Sequence, residues 1–399
     1  MESGLLGLAA IAVLIWVGLL TIWGQFWRAD QRLDDDSPGA VSGATDSGAT
    51  DAWPTVAVVI PARNEGELIG VAVHSHLAQM YPGPLSIVLV DDHSTDGTAA
   101  VATQVAKNWD KEASLNVFTG KPLPSGWTGK LWAMEQGFHY LKQQPSPPDY
   151  VLFTDADIEH APASVQQLIL KAEREQLDLV SLMVALRCQS FWEKLLIPAF
   201  VFFFQMLYPF GWVNDPHKKT AAAAGGCALL RFSALERIDG FESIRHALID
   251  DCALGAAVKE NGPIWLGLST TTRSLRPYST LKSIWDMVAR SAYTQLNYSP
   301  GLLAGTVLGM LLVYVASPLG VVLGVAWGQL GLTLVGLAGW LLMAIAYRPT
   351  LRLYGGSPLL AFALPGIAFM YLLMTLDSAR RHWRGQGGAW KGRVYTAPN

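Results

Sequence analysis

Residues 55–98 read TVAVVIPARNEGELIGVAVHSHLAQMYPGPLSIVLVDDHSTDGT. Two near-continuous apolar runs, Thr55–Ile60 and Leu85–Val90, flank a helical stretch, Glu67–Gln79, and a second helical stretch, Gly97–Trp109, comes after them. Further out, Leu115–Phe118 reads as a short strand, Lys130–Gln143 as a helix and Tyr150–Thr154 (YVLFT) as another strand. Strands with no polar alternation are buried on both faces, and their alternation with helices predicts an α/β fold around a parallel sheet. Ligands of such sheets sit beyond the carboxyl ends of the strands.

Those ends are acidic. Pro61-Ala62-Arg63-Asn64-Glu65 follows the first strand, Asp91-Asp92-His93-Ser94-Thr95-Asp96-Gly97-Thr98 the second, and Asp155-Ala156-Asp157 follows YVLFT. Ser94 and Asp96 also fit a plain structural role, capping the helix that begins near Gly97. Asp155 and Asp157 differ: on an extended chain an i, i+2 pair lies on one side, where the carboxylates repel unless a cation separates them. Mg²⁺ and Mn²⁺ take few protein oxygens and share the rest with phosphate, so a pyrophosphate-bearing substrate completes the pattern.

Three further segments extend the set: Gly126-Trp127-Thr128-Gly129-Lys130, Ile249-Asp250-Asp251-Cys252-Ala253-Leu254 and the closing Trp390-Lys391-Gly392-Arg393. In this order the motifs resemble those of the family 2 inverting glycosyltransferases, whose GT-A fold is nucleotide-diphospho-sugar transferase-like and Rossmann-like. D-x-D alone is a weak signal; the ordered set is specific and covers most of the chain. The likeness is strongest to bacterial hopene-associated glycosyltransferases, with ceramide and carotenoid glycosyltransferases more distant.

The resemblance implies roles. Pro61, Ala62 and Glu65 match the loop that holds the base and ribose. Asp92 matches the carboxylate that accepts a hydrogen bond from uracil. Lys130 matches a lysine near the nucleotide, against the plain reading of a solvated lysine at a helix start. Asp155 and Asp157 match the metal–diphosphate site, and Asp251 matches the catalytic base. Asp250 either raises the pKa of Asp251 by repulsion or points away, as helix neighbours do; the second reading is preferred. Membrane-bound relatives carry Q-x-x-R-W, whereas Arg290-Ser-Ala-Tyr-Thr-Gln295-Leu-Asn-Tyr298 keeps the glutamine and an aromatic without the Arg-Trp pair. That departure speaks against processive polymer synthesis. Arg290 either replaces the missing cation or anchors the chain at the membrane, and Trp390 and Arg393 are possible accessory residues. The implied reaction moves one sugar from a UDP-sugar (UDP-glucose-like) to a membrane lipid, with a hopanoid or other polyprenoid or polycyclic lipid as the class the resemblance suggests, and with Mg²⁺ or Mn²⁺. Two alternatives stand beside it. One is a nucleotidyltransferase acting on a membrane lipid, with Arg63 the single candidate triphosphate cation near the first strand. The other is a catalytically silent scaffold of a lipid-synthesis complex.

Composition supplies the membrane. Charged residues make up 15% of the 399, against roughly 25% in a soluble domain, and blocks 3–27, 195–214, 291–347 and 353–376 contain none. A purely soluble enzyme is excluded. A net charge of −3 gives no basic excess for nucleic acid. Cys188, Cys227 and Cys252 are odd in number and widely spaced, forming neither a disulfide framework nor a zinc site.

The organisation expected is a transmembrane anchor at 1–27, a flexible linker at 28–52, a GT-A domain at 53–300, membrane helices at 301–376 and a basic cytoplasmic tail at 377–399. Gly4–Trp23 is long enough to span, and Arg28 and Arg32 behind it place the next segment in the cytoplasm. The whole is a multi-pass protein of a bacterial inner membrane with a cytoplasmic catalytic domain. Within 191–214, nine aromatics and Pro198 and Pro209 read as an interfacial helix or hairpin, with a buried core helix as the plain alternative. Two spans, Gly301–Val322 and Val325–Tyr347, lie further along. A third, Pro358–Leu376, would export the basic tail, so a re-entrant hairpin at Pro365-Gly366 is expected.

Overall fold

A computed structural model describes residues 2–33, 53–386, 389–390 and 393–394. Most of the expected linker, together with Lys391 and Gly392, lies outside the described residues. The chain divides into two compact units.

The first unit comprises Gln31–Arg187, Trp212–Pro277 and Trp390–Asn399. It is built on β1 (Val56–Ala62), β2 (Leu85–Asp91), β3 (Leu115–Thr119), β4 (Tyr150–Thr154), β5 (Ile158–Glu159), β6 (Leu179–Ala185), β7 (Cys227–Arg231) and β8 (Ile264–Ser274), in the sheet order β3-β2-β1-β4-β7-β6-β8-β5. β1 is buried from Val56 to Ala62, as a run without polar alternation requires. Each fully buried Val or Ile contributes roughly 1.5–3 kcal/mol. The parallel expectation holds for β1 to β4. Beyond them the sheet is mixed, because β7 runs antiparallel between β4 and β6.

Helices Ile69–Leu77, Thr98–Asn108 and Gly129–Lys142 cover the sheet within two residues of the expected bounds. The last approaches closely: a Cβ on Gly137 would come 2.5 Å from Val59 Cγ1, so only glycine lets this helix settle on β1. That contact also fixes the height of Lys130 in its first turn.

The second unit comprises Met1–Asp30, Cys188–Gly211 and Tyr278–Ala389. Five helices are long and apolar enough to cross a membrane: Ser3–Thr21, Phe191–Val213, Pro300–Ala326, Leu330–Leu353 and Pro358–Trp383. Pro300–Ala326 contains a π-helical turn, Leu311–Val315. Trp16 Nε1 donates to the Val313 carbonyl there at 2.9 Å, adding a donor where the helical ladder is irregular. Gly324 lies against Thr333 and Ser317 against Gly339, so Leu330–Leu353 returns antiparallel and Leu353 points toward the Pro300 end.

One proline expectation is corrected and another is shifted. Helix Phe191–Leu207 runs through Pro198 and ends just before Pro209. It packs among the apolar helices, with Phe202 5.3 Å from Tyr347, Phe203 4.9 Å from Tyr371, and the Tyr371 hydroxyl donating to the Leu196 carbonyl at 2.9 Å. Pro365 sits in the first turn of helix Leu364–Trp383, where a missing N–H costs nothing, so the chain re-enters by turning at Ala363–Leu364, between the 3-10 turn Pro358–Ala363 and that helix, and not at Pro365-Gly366. That helix comes back to the Pro300 end: Ala379 packs with Tyr293 and Leu303, and the Ser378 hydroxyl accepts from Tyr293 N at 3.0 Å.

Candidate active site

The loops after β1 and β2 form one block. Asn64, in the left-handed region at φ 51°, donates its N–H to Ser94 Oγ and accepts from Thr95 N, both at 2.9 Å. Gly66 N donates to Asp96 Oδ2 at 2.8 Å, while Asp96 Oδ1 accepts from Thr98 N at 3.1 Å. Asp96 therefore caps its own helix and ties the two loops together. Asp92 N donates to the Ala62 carbonyl at 2.8 Å. The buried Asp92 carboxylate has the Arg63 guanidinium 3.6 Å away.

Asp155 and Asp157 are near enough for the Asp157 charge to raise Asp155, but each also has a cation of its own. β4 ends at Thr154, and residues 155–158 make a turn closed by Ile158 N donating to the Asp155 carbonyl at 3.2 Å. The period-two rule applies only within a strand, so each carboxylate meets its own cation. Asp155 Oδ1 pairs with Lys130 Nζ at 2.8 Å. Asp157 Oδ2 accepts from Ser274 Oγ at 3.0 Å and pairs with Arg276 Nε at 3.2 Å. The other side of the Arg276 guanidinium binds Glu65 Oε1 at 2.6 Å, linking the loop after β1 to the D-A-D turn.

One oxygen of each D-A-D carboxylate is thus committed to a cation and the other remains for a metal. Among the described residues no group of three or more His, Cys, Asp or Glu side chains could hold an ion. The donor set nevertheless fits Mg²⁺ or Mn²⁺, which bind through one or two carboxylates plus substrate phosphates.

Lys130 is no solvated helix-start lysine. Its Nζ lies 3.2 Å from Asp250 Oδ2 as well as against Asp155. Burial alone would push the ammonium down in pKa, but the carboxylates around it more than reverse that, so it stays charged. Burial also drives Asp155 above the ordinary carboxylate range, against the pull of Lys130.

Asp251 opens helix Asp250–Lys259. Its Oδ2 accepts from Gly225 N at 2.9 Å and its Oδ1 from Cys252 N at 2.8 Å. Burial first, then the charge of Asp250, push it up to about 6. The preferred reading of Asp250 is overturned, since both aspartates line the same small hollow with Lys130 and Gly225. No preceding helical turn stands in the way at a helix start, so neighbouring side chains can face one concave pocket.

Four participants escaped the sequence reading. Asp250 is read as pointing away from the site; Ser274 ends β8 and Arg276 follows it, a strand the motifs do not mark; and Gly225 is a backbone donor. Arg276 does follow a strand end, but a search for acids passes over a cation. Arg290 and Gln295 belong to the helical unit, where Gln295 Nε2 donates to the Tyr208 hydroxyl at 2.6 Å. Trp390 and Arg393 lie in a pair of two-residue strands, and their side chains are outside the described residues.

Residues 57–239 match the model of glycosyl transferase family 2. That match supports a family 2 glycosyltransferase domain in this stretch. It contains the loops after β1 and β2, Lys130 and the D-A-D turn, while Asp250, Asp251 and Arg276 lie beyond its last matched residue. The chain is 31% identical over 142 residues to an undecaprenyl-phosphate 4-deoxy-4-formamido-L-arabinose transferase of Pectobacterium carotovorum, covering 35% of this chain and 40% of that protein. It is 28% identical over 141 residues to the transferase of the same name from Yersinia enterocolitica, covering 35% and 39%. The match thus spans about two fifths of these relatives. Among solved structures, the mannosyltransferase PcManGT of Pyrobaculum calidifontis, in complex with GDP-Man and Mn²⁺, aligns with a TM-score of 0.52 at 16% identity, covering 94% of this chain and 98% of that one. That likeness shows the fold alone: a mixed α/β sheet of GT-A, Rossmann-like type together with long apolar helices.

Proposed function

We propose that the protein is an inverting glycosyltransferase that moves one sugar from a UDP-sugar, UDP-glucose-like, to a membrane lipid. A hopanoid or other polyprenoid or polycyclic lipid is the acceptor class that the sequence resemblance names. The observation that carries the reading is Asp251, a carboxylate held by two backbone N–H groups and poised near 6, in one hollow with Lys130 of the D-A-D ion pair. A base with that pKa is ionised at neutral pH yet basic enough to take a proton.

Asp92 and the Pro61–Glu65 loop would receive the nucleoside. Asp155 and Asp157 would hold Mg²⁺ or Mn²⁺, whose contribution when bound is to offset charge on the departing diphosphate. Mn²⁺ in the PcManGT complex supports that choice. Lys130 places a fixed positive charge beside Asp155 without a proton to lose. Inversion needs one displacement and one base, so Asp251 suffices.

The helical unit supports placement in a bacterial inner membrane with the catalytic unit cytoplasmic: Arg28 and Arg32 come after the first helix, and Arg348 and Arg352 close the fourth. Helix Leu364–Trp383 ends at the Pro300 end with Arg380 and Arg381 in its last turn, which supports a basic tail on the same face. An Ala397→Cys label reached only from the periplasm would sink this topology. For the reaction, membranes are incubated with a panel of labelled nucleotide sugars and the lipid extracted. Asp251→Asn is expected to abolish labelling while leaving nucleotide-sugar binding intact; undiminished labelling refutes the assignment.

A further inference from the structure

Resting on the glycosyltransferase reading above, we infer that His160, a buried residue outside every motif named so far, is a positioning residue for Asp251, acting through Thr154 and the Gly225-Gly226 turn. Asp251 takes one of its two backbone N–H bonds from Gly225, and a second glycine follows. Two glycines in succession have no side chains to restrict their backbone, so the direction of the Gly225 N–H depends on what holds the turn at either end. At one end Ser181 Oγ accepts from Ala224 N at 2.8 Å. At the other the Gly226 carbonyl accepts from Thr154 Oγ1 at 2.8 Å.

Thr154 is buried, and its hydroxyl has one proton. The Gly226 carbonyl can only accept, so that proton goes to it, and Thr154 Oγ1 accepts in turn from its second neighbour, His160 Nε2, at 3.0 Å. The tautomer of His160 is thereby set: its N–H sits on Nε2, and Nδ1 has no hydrogen-bond partner among the described residues. Burial first, then the neighbouring His76, push the His160 ring well down in pKa, so it stays neutral with one N–H to give. The ring is also fixed from behind. His160 N donates to Ser75 Oγ at 3.1 Å, the Ser75 hydroxyl donates to the Ala72 carbonyl at 2.7 Å, and the His76 ring lies 4.5 Å away. Removing the Nε2–H leaves the buried Thr154 oxygen without a donor, and its hydroxyl then has no single preferred direction. The effect on Asp251 has a definite sign. An N–H bond to a carboxylate favours the charged form, so a loosened Gly225 N–H leaves Asp251 harder to ionise and less well aimed. None of these bonds ends on Asp92 or the Pro61–Glu65 loop, so binding of the nucleotide sugar should be spared.

The test follows transfer of labelled sugar to extractable lipid, between about pH 5 and 8, in membranes containing the full-length protein. His160→Leu removes the donor, and His160→Gln restores an N–H at the end of a side chain of similar reach. Thr154→Val breaks the middle of the relay with His160 in place, which keeps the relay testable if His160→Leu fails to fold. In His160→Leu and Thr154→Val, kcat should fall about tenfold, the worth of one hydrogen bond to a charged group, with KM for the nucleotide sugar within about twofold of the parent. The midpoint of the kcat/KM profile should climb from near 6 toward about 7. His160→Gln should recover the midpoint and most of kcat, and the double variant should be no worse than Thr154→Val alone, because both changes break one relay. Parental kcat and midpoint in His160→Leu or Thr154→Val, a loss confined to KM, or a His160→Gln variant as impaired as His160→Leu overturns the positioning role while leaving sugar transfer standing. No labelled lipid from the parent with any donor overturns the glycosyltransferase reading itself, and this inference with it.

Discussion

Replacing Asp250 with asparagine isolates the electrostatics of the proposed base. Asp251 is raised from the ordinary aspartate value of about 3.9 to about 6, with burial the larger cause, Asp250 the second, and Lys130 opposing. Asparagine keeps the volume and removes the charge, so Asp251 falls by no more than about half of that rise, to roughly 5. Lys130, released from Asp250, then acts more strongly on its remaining neighbours and moves Asp251 in the same direction. Asp155 also feels Asp250 as a raising charge, so the sign is the same whichever carboxylate limits activity. The assay is kcat/KM for the nucleotide sugar between about pH 4.5 and 8, which reports ionisations of the free enzyme. A base works deprotonated, so activity rises with pH through the pKa, with a midpoint near 6 in the parent and near 5 in Asp250→Asn. At pH 5 the parent retains about one eleventh of its plateau and the variant about one half, a roughly fivefold difference in relative activity for a one-unit move. Asp250→Glu keeps the charge and should keep the midpoint near 6. A midpoint that stays at 6 in Asp250→Asn, or climbs, would refute the claim that Asp250 tunes Asp251.

Arg276→Met removes the shared cation of two carboxylates whose side chains are only 9% and 10% exposed. Breaking such a buried pair costs about 3 kcal/mol, read as a lower unfolding midpoint in detergent. Mn²⁺ should restore part of the loss if Asp157 binds metal, and no restoration would deny it that role. Gly225→Ala sets a methyl 2.9 Å from Lys130 Nζ and 3.5 Å from Asp251 Oδ2, so sugar transfer should fall at least about tenfold.

The first half of the sheet was legible because its strands carry their burial in their composition. A run such as Val56–Ile60, apolar at every position, has no other stable place than a sheet covered on both faces. The acid-rich strand ends were legible for a related reason: β2, β1 and β4 are neighbours in the sheet, so Asp92, Glu65 and Asp155 come to one edge directly from chain order. The cations that Asp155 and Asp157 meet, Lys130 and Arg276, were not legible, because a two-residue periodicity says nothing once the strand has ended. Pro198 misled in the apolar segments, since helical backbone accommodates it, whereas the re-entry expected at Pro365-Gly366 occurs just ahead of it, at the start of helix Leu364–Trp383.

What joins the base to that acidic edge is a strand direction that apolar patterning does not encode. In a wholly parallel sheet, the residues just before a strand lie at the opposite edge from the ligand. β7 is antiparallel, and its first residue, Cys227, pairs with Thr154 at the last position of β4. The segment that enters β7 is thereby delivered to the D-A-D edge, and Thr154 Oγ1 fixes it by donating to the Gly226 carbonyl at 2.8 Å. Gly225 N is then positioned to hold Asp251, a residue 96 places downstream of Asp155 in the same chain. Were β7 parallel, Gly225 would sit at the far edge, and the Asp251 carboxylate would lose a donor that supports its charge. One reversed strand therefore sets both the position of the proposed base and the ionisation that makes it useful.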